Sequence, residues 1–167
     1  MRNKLISLAL STLLLAFGSA AWAQAPAAGG NIEFKNVAEV EVSATGADGK
    51  AEKKRVPVQK AVPGTEVIYT STFKNISKKP AGKILINNPI PANTTLVAAS
   101  AFGENMEITF SADGGKTWAP AAQVKVKGAD GKERMAGLSE FTHIRWSYLG
   151  ELPPGQQGVA GFRVVIN

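Results

Sequence analysis

The sequence predicts an all-β fold, a two-sheet antiparallel β-sandwich, and three observations support this prediction. Short runs of alternating apolar and polar residues recur along the chain, as expected of strands that bury one face. Turn signals rich in Gly, Pro, Asn and Asp separate these runs at regular spacing. After the N-terminal segment, no stretch keeps a helical period over three turns.

The N-terminal segment, residues 1–23, is predicted to be a cleavable signal peptide that forms a helix. Arg2 and Lys4 give it a positive start, an apolar run follows, and Ala21-Trp22-Ala23 supplies the small residues that signal peptidase reads. An uncleaved membrane anchor is the alternative, because the apolar run approaches the lower length of a span. Residues 24–30 are predicted to be a flexible leader and residues 31–167 the sandwich domain. The expected location is periplasmic or secreted.

Composition excludes several classes of function. The chain carries a formal net charge of +6 and contains no cysteine. Disulfides, thiol catalysis, thiolate metal sites and acylation of an N-terminal cysteine are therefore excluded. The modest basic excess gives a weak attraction for polyanions, but it lacks the clustering expected of sequence-specific nucleic-acid binding.

Residues 62–75 carry the strongest strand signal in the chain. A Pro63-Gly64 turn precedes an alternating run that is rich in β-branched and aromatic residues. The more apolar face of this run is predicted to point to the core, and it consists of Val67, Tyr69, Ser71 and Phe73.

Further strands are predicted on both sides of this central one. Residues 31–45 form a strand pair or one long bent strand, with a bulge near Asn36 because Val37 falls out of the alternation. After an Asp-Gly turn, residues 51–60 are predicted to form an edge strand, since Pro57 cannot donate a ladder hydrogen bond. The other predicted strands are 83–88, 94–100, 106–111, 123–127, 142–148 and 159–166, with Ile144, Trp146 and Tyr148 inward and His143, Arg145 and Ser147 outward.

A series of short motifs follows in a definite order between residues 58 and 167. The series is Val62-Pro63-Gly64, Val67-x-Tyr69, Phe73-x-Asn75, Ile84-x-Ile86, Pro89-Ile90-Pro91, Ile144-x-Trp146, Leu152-Pro153-Pro154-Gly155 and Gly161-Phe162-Arg163-Val164. It resembles the conserved repeat of bacterial surface proteins that is carried as a domain of unknown function. The resemblance implies an immunoglobulin-like β-sandwich that serves as an envelope or adhesin building block. This chain has one copy instead of an array, and Asn88 stands where the repeat usually has Asp. The resemblance assigns no catalytic or ligand residues.

Residues 111–118 match the Asp-box pattern Ser-x-Asp-x-Gly-x-Thr-Trp, the most specific local motif in the chain. One interpretation is sugar binding, with Asp113 and Trp118 in contact with the ligand. The other is a self-stabilised hairpin, in which Asp113 accepts backbone N–H groups and Trp118 caps the turn. One copy cannot build the propeller in which Asp boxes often recur, which favours the hairpin. The exposure of Trp118 helps to separate the two interpretations.

The sequence gives little support for a metal site or a catalytic site. His143 is the only histidine, so a copper or zinc site lacks ligands and His143 is predicted to be a surface strand residue. Asp48, Asp113 and Asp130 lie in Gly-containing turns, where calcium binding is the alternative to ordinary turn aspartates. We predict no metal, no cofactor and no catalytic residues, since no nucleophile or acid–base pair is recognisable.

Basic residues form a second candidate ligand surface. Lys53, Lys54 and Arg55 on the predicted edge strand, with Lys78 and Lys79 on the loop after the central strand, are predicted to contact an anionic envelope polymer such as lipopolysaccharide. Solvated lysines that protect a sheet edge are the ordinary explanation.

The expected function is that of an exported, non-enzymatic envelope protein, a structural or protein–protein interaction module. The alternative is a small carbohydrate-binding module that uses the Asp-box hairpin and Trp118. The expected partner is another envelope protein or an anionic or glycan envelope polymer, and nucleic acid is not expected. The edge around residues 56–58, interrupted by Pro57, offers a place for strand addition.

Overall fold

The computed structural model describes residues 31–45 and 50–167. The predicted signal peptide and leader lie outside the described residues, and so does Asp48 with most of the first Asp-Gly turn. In the described part the chain is all-β, and its only helical element is a short 3-10 turn at Ala121–Gln123. These residues contain no helix of the length and hydrophobicity needed to cross a bilayer.

Thirteen strands lie in the described part of the chain, and their pairings are antiparallel. They are β1 (Ile32–Thr45), β2 (Ala51–Pro57), β3 (Glu66–Asn75), β4 (Ala81–Gly82), β5 (Leu85–Pro89), β6 (Thr94–Leu96), β7 (Phe102–Gly103), β8 (Met106–Ser111), β9 (Lys125–Lys127), β10 (Glu133–Met135), β11 (His143–Tyr148), β12 (Glu151–Leu152) and β13 (Gln157–Ile166).

Two main sheets organise these strands. The larger sheet has the order β2-β1-β3-β13-β6, with β7 also paired to β13, and the smaller sheet has the order β5-β11-β8. Two short ladders, β9–β10 and β4–β12, lie outside them. β3 lies between β1 and β13, which confirms that it is a central strand, and β2 lies at the edge as predicted.

The two main sheets share one hydrophobic core. Phe73 of the larger sheet and Trp146 of the smaller sheet are both 0% exposed. The rings of Trp146 and Phe162 lie 6.0 Å apart between their centroids, which joins β11 to β13. Each such buried side chain contributes about 1.5–3 kcal/mol to folding. The predicted inward face of β3 is confirmed, because Val67 and Ser71 are also buried.

The outer face of β3 is more buried than its alternation predicts. Ile68 points away from the shared core but is only 1% exposed. It pairs across strands with Arg163, which donates hydrogen bonds to Glu66 at 2.7 Å and to Glu41 at 2.9 Å. The long stems of charged side chains cover apolar surface while their charged ends stay in water, so this ion cluster shields Ile68.

The predicted bulge near Asn36 is wrong. The register between β1 and β3 advances one residue at a time from the Ile32–Asn75 pair to the Glu39–Ile68 pair, with no extra residue on either strand. β1 is therefore one continuous strand that pairs first with β3 and then with β2. Val37 falls out of the apolar alternation because it lies on the outer face, opposite Thr70.

Several strands begin or end at different residues from those predicted, β2 at Pro57 and β9 at Lys125 among them, and two of these differences have a backbone cause. The strand predicted over 94–100 ends at Leu96, and the strand predicted from Lys83 begins at Leu85. Lys83 and Ala99 both have positive φ angles, 55° and 53°, which an extended strand cannot contain. Ile84 and Ile86 are nevertheless buried as predicted.

Candidate functional site

The Asp-box segment forms a closed loop at the end of β8. Phe110 and Ala119 exchange two backbone hydrogen bonds, at 2.8 and 3.1 Å, and so join the two ends of residues 111–118. Gly114 and Gly115 have φ angles of 77° and 84°, a conformation that costs glycine little and other residues more. The sequence places two glycines where the loop reverses, which explains why it folds locally.

The Asp113 carboxylate accepts the hydrogen bonds that hold this loop together. It accepts hydrogen bonds from the backbone N–H groups of Lys116 and Thr117, and from the hydroxyls of Thr117 and Ser111. These donors stabilise the charged form, so the Thr117 bonds above all keep the pKa of Asp113 well below its usual range. Asp113 therefore has the role that the hairpin interpretation predicts.

Ser111 fixes the loop to the sheet below it. Its side chain is 0% exposed, and its hydroxyl accepts hydrogen bonds from the N–H groups of Asp113 and Gly115. The hydroxyl of Thr142, just before β11, accepts the N–H of Gly114 at 3.0 Å. These bonds connect the loop to two neighbouring strands, β8 and β11.

Trp118 lies half-buried across the outer face of the smaller sheet. Its indole Nε1 donates to the carbonyl oxygen of Gly115 at 2.9 Å, so its polar group is already satisfied within the loop. The guanidinium carbon of Arg145 lies 3.8 Å from the ring centroid, and the His143 ring meets Trp118 edge-on at 6.3 Å. Trp118 thus caps the hairpin and contacts β11, while part of its ring remains open to solvent.

Arg145 is held from two sides. Besides its contact with Trp118, its Nε donates a hydrogen bond to Oδ1 of Asn87 at 2.8 Å. Asn87 on β5 is the residue paired with Arg145 across the sheet. The alternation of β11 predicts that Arg145 points outward, but the pairing that places Asn87 beside it is a tertiary feature that sequence reasoning missed.

His143 lies on the outward side of β11, as predicted, but it is only partly exposed. Burial against its neighbours lowers its pKa, because the charged ring loses solvation, and the charge of Asp113 opposes this effect. Its Nδ1 lies 3.1 Å from the hydroxyl of Thr142. The ring is therefore a packing contact of Trp118 more than a free surface group.

The calcium alternative gains no support from the turn aspartates that the structure describes. The oxygens of Asp113 accept hydrogen bonds within the loop, and Asp130 accepts the N–H of Lys132 at 3.1 Å. Residues 31–45 and 50–167 contain no group of three or more side chains arranged to hold a metal ion.

The predicted polyanion surface divides into two groups at opposite ends of β1. Residues 53–55 lie on β2 opposite residues 41–43. Residues 78 and 79 follow β3, whose last residue, Asn75, pairs with Ile32. The two ends are separated by about 30–36 Å of extended strand at the usual rise per residue. The structure does not bring these five basic residues together into one surface.

The basic residues of β2 are also partly neutralised. Nζ of Lys53 and Nε of Arg55 each lie 3.7 Å from a carboxylate oxygen of Glu41. The hydrogen bond from Arg163, with smaller contributions from these two cations, holds the pKa of Glu41 below its ordinary value. Sequence reasoning missed this cluster, since its members come from β1, β2 and β13.

The fold and these contacts define an all-β protein of antiparallel sheets, with an internally hydrogen-bonded surface loop beside an anchored arginine. No protein-family model matches this chain, and no curated protein sequence matches it significantly.

Proposed function

We propose that this chain is an exported, non-enzymatic module of the bacterial cell envelope, built as an immunoglobulin-like sandwich, that acts by binding another envelope component. The signal-like N-terminus, the order of motifs between residues 58 and 167 and the two sheets around one core support this proposal.

The observation that carries the proposal is the open edge of β2. β2 stands at the end of the larger sheet, and no described strand pairs with its outer side. Pro57 is the last residue of the strand, so the backbone of residues 51–56 is not interrupted by it. An exposed edge can accept an extended segment of a partner through main-chain hydrogen bonds, although Lys53, Lys54 and Arg55 on this edge disfavour indiscriminate pairing.

β1 and β2 also extend beyond the sheet. β1 pairs with β3 only as far as Glu39, whereas its pairing with β2 continues to Thr45. This two-stranded ribbon exposes Val42, which is 39% exposed and faces Lys54 across the ladder. A projecting ribbon gives a partner access to the edge without a clash with the rest of the sheet.

Site-directed photo-cross-linking in envelope preparations tests this proposal. A photoreactive residue at Glu52, exposed on β2, is expected to capture an envelope component. The matched control is the same residue at Glu33, exposed near the other end of β1. Recovery of the same products from both positions, or of none from Glu52, would count against edge binding.

A second candidate function, carbohydrate binding, is favoured by the partial exposure of Trp118 on a loop held by its own hydrogen bonds. An aromatic ring held in place loses little entropy when it contacts a sugar. Glycan binding that disappears in Trp118→Ala, with the fold intact, supports this candidate. If glycan binding is unchanged by Trp118→Ala, the proposal that Trp118 contacts the sugar is wrong.

A further inference from the structure

We propose that Arg145, anchored by Trp118 and Asn87, binds the carboxylate of an acidic sugar on the outer face of the smaller sheet. This inference deepens the carbohydrate-binding candidate, on which it rests for the class of ligand. It adds the chemical group that is recognised and the residue that recognises it.

The guanidinium of Arg145 is fixed before any ligand arrives. Its carbon lies 3.8 Å from the centroid of Trp118, and its Nε donates to Asn87 at 2.8 Å. A free arginine side chain samples many rotamers, and its ordering opposes binding. These two contacts reduce that cost, so Arg145 is preorganised for a ligand.

The end of the guanidinium is left available. Among residues 31–45 and 50–167, no group accepts a hydrogen bond from Nη1 or Nη2 of Arg145. Thr70 is the only described residue with a fully buried side-chain oxygen or nitrogen that lacks a partner, so Nη1 and Nη2 of Arg145 are not fully buried. Two parallel N–H groups match the two oxygens of a carboxylate, which is the geometry of the strong bidentate pair.

The groups around Arg145 favour a sugar over a peptide carboxylate. Thr109 of β8 pairs with Arg145 on the side opposite Asn87, and it adds a hydroxyl to the same outward face. The Arg145 guanidinium covers one face of the Trp118 ring, and the part of the indole that remains exposed offers an apolar surface against which the C–H groups of a sugar ring can pack. An aromatic ring, a hydroxyl and a guanidinium together match the apolar face, the hydroxyls and the carboxylate of a uronic acid.

Isothermal titration of the purified protein with trigalacturonate, neutral galactotriose and triglutamate tests the assignment. We expect trigalacturonate to bind, and the two other probes to bind at least about 10-fold more weakly, because each lacks one of the recognised groups. Arg145→Gln is expected to weaken trigalacturonate binding about 10-fold or more, since it removes a charged bidentate donor.

Two variants control this experiment. Arg145→Lys keeps the charge but loses the planar fork, so it should bind trigalacturonate more weakly than the wild type and more strongly than Arg145→Gln. Lys74→Gln removes the same charge from an exposed position on the larger sheet and should leave binding unchanged. If Arg145→Gln fails to fold, as judged by circular dichroism, the comparison of wild type with Arg145→Lys decides the outcome.

Three results would overturn the assignment in distinguishable ways. Equal binding of galactotriose and trigalacturonate would leave carbohydrate binding intact but remove the carboxylate site. If triglutamate bound as tightly as trigalacturonate, Arg145 would be a site for acidic peptides and not specifically for acidic sugars. Absence of binding by all three probes would remove both this inference and the acidic-sugar form of the carbohydrate candidate, while leaving edge binding at β2 unaffected.

Discussion

The side-chain amide of Asn75 donates a hydrogen bond of 2.8 Å to the carbonyl oxygen of Leu152, which lies 77 residues further along the chain. The same amide nitrogen donates to Lys79, and its oxygen accepts the N–H and hydroxyl of Ser77. Asn75 is 0% exposed, so it connects the end of β3, the following loop and β12 from inside.

Replacement of Asn75 by Ala should therefore destabilise the protein by about 2–4 kcal/mol, because buried groups such as the Leu152 carbonyl lose their partners. Chemical denaturation measures this loss. Asn36→Ala, at an exposed position on β1, is the control and should change stability by less than about 0.5 kcal/mol. Equal losses in the two variants would show that the bonds of Asn75 contribute little.

Gly158 is covered by the ring of its cross-strand partner, Phe73. A Cβ atom at Gly158 would lie 2.1 Å from Cζ of that ring, and Phe73 is 0% exposed and cannot move aside freely. Gly158→Ala should destabilise the protein by at least about 1–3 kcal/mol through overpacking.

Gly82→Ala is the matched control for Gly158→Ala. A Cβ at Gly82 meets its nearest atoms at 3.6 Å, an ordinary contact distance. Thermal unfolding should separate the two variants clearly. A melting temperature for Gly158→Ala that equals that of Gly82→Ala would contradict the packing of Phe73 described above.

Loss of the Asp113 carboxylate should loosen the Asp-box loop. Asp113→Ala removes the acceptor for the N–H groups of Lys116 and Thr117, and we expect these two amides to exchange hydrogen with solvent faster than in the wild type. Amide exchange followed by NMR measures this change.

Asp130→Ala is the control for Asp113→Ala, since Asp130 accepts one backbone N–H in the turn between β9 and β10. It should leave the exchange of Lys116 and Thr117 unaltered. Unchanged protection of these amides in Asp113→Ala would mean that the backbone of the loop orders itself without the carboxylate.

Glu140 should make the protein sensitive to acid. Its two oxygens accept two hydrogen bonds of 2.7 Å from Arg134, which with the N–H of Gly137 lowers its pKa from 4.5 to about 2. As pH falls below 4.5 the unfolded chain binds the proton first, so stability is present above that pH and is lost progressively towards pH 2. The lowered pKa values of Asp113 and Glu41 act in the same direction.

Glu140→Gln should therefore flatten the dependence of the unfolding free energy on pH in this window. Denaturant titrations at a series of pH values measure the slope. Glu104→Gln removes an exposed carboxylate that makes no hydrogen bond with the described residues, and it should leave the slope as in the wild type. A slope that is identical in wild type and Glu140→Gln would contradict the role of the Arg134 pair.

Much of the fold could be predicted from alternation alone. Trp146 and Phe73 are buried as their positions on period-two strands indicate, because side chains on a strand point alternately to opposite faces. The alternation predicted Ile68 to be on the exposed face, but Ile68 is buried because Arg163 and Glu41 cover it. Near Asn36 an outward apolar residue suggested a bulge, and the register shows none.

The candidate site was predictable only in part. The Asp-box motif indicates the contacts of Asp113, since all its donors lie within four residues of it in sequence. The pairing of Arg145 with Asn87, and the contact of its guanidinium with Trp118, gave no sequence signal. Residues 53–55 and 78–79 were predicted to contact one polyanion together, but they lie near opposite ends of β1.

The sequence by itself determined the longer strands, most of their inward faces and the self-contained Asp-box loop, because these depend on residues close together along the chain. The short strands β4, β7, β10 and β12 were not predicted. Only the tertiary structure decided which strands pair, and so which polar side chains meet across the sheets. Arg145 comes between Asn87 and Trp118 through sheet register and loop placement. Such long-range pairings follow from the packing of the whole core, which no local pattern specifies.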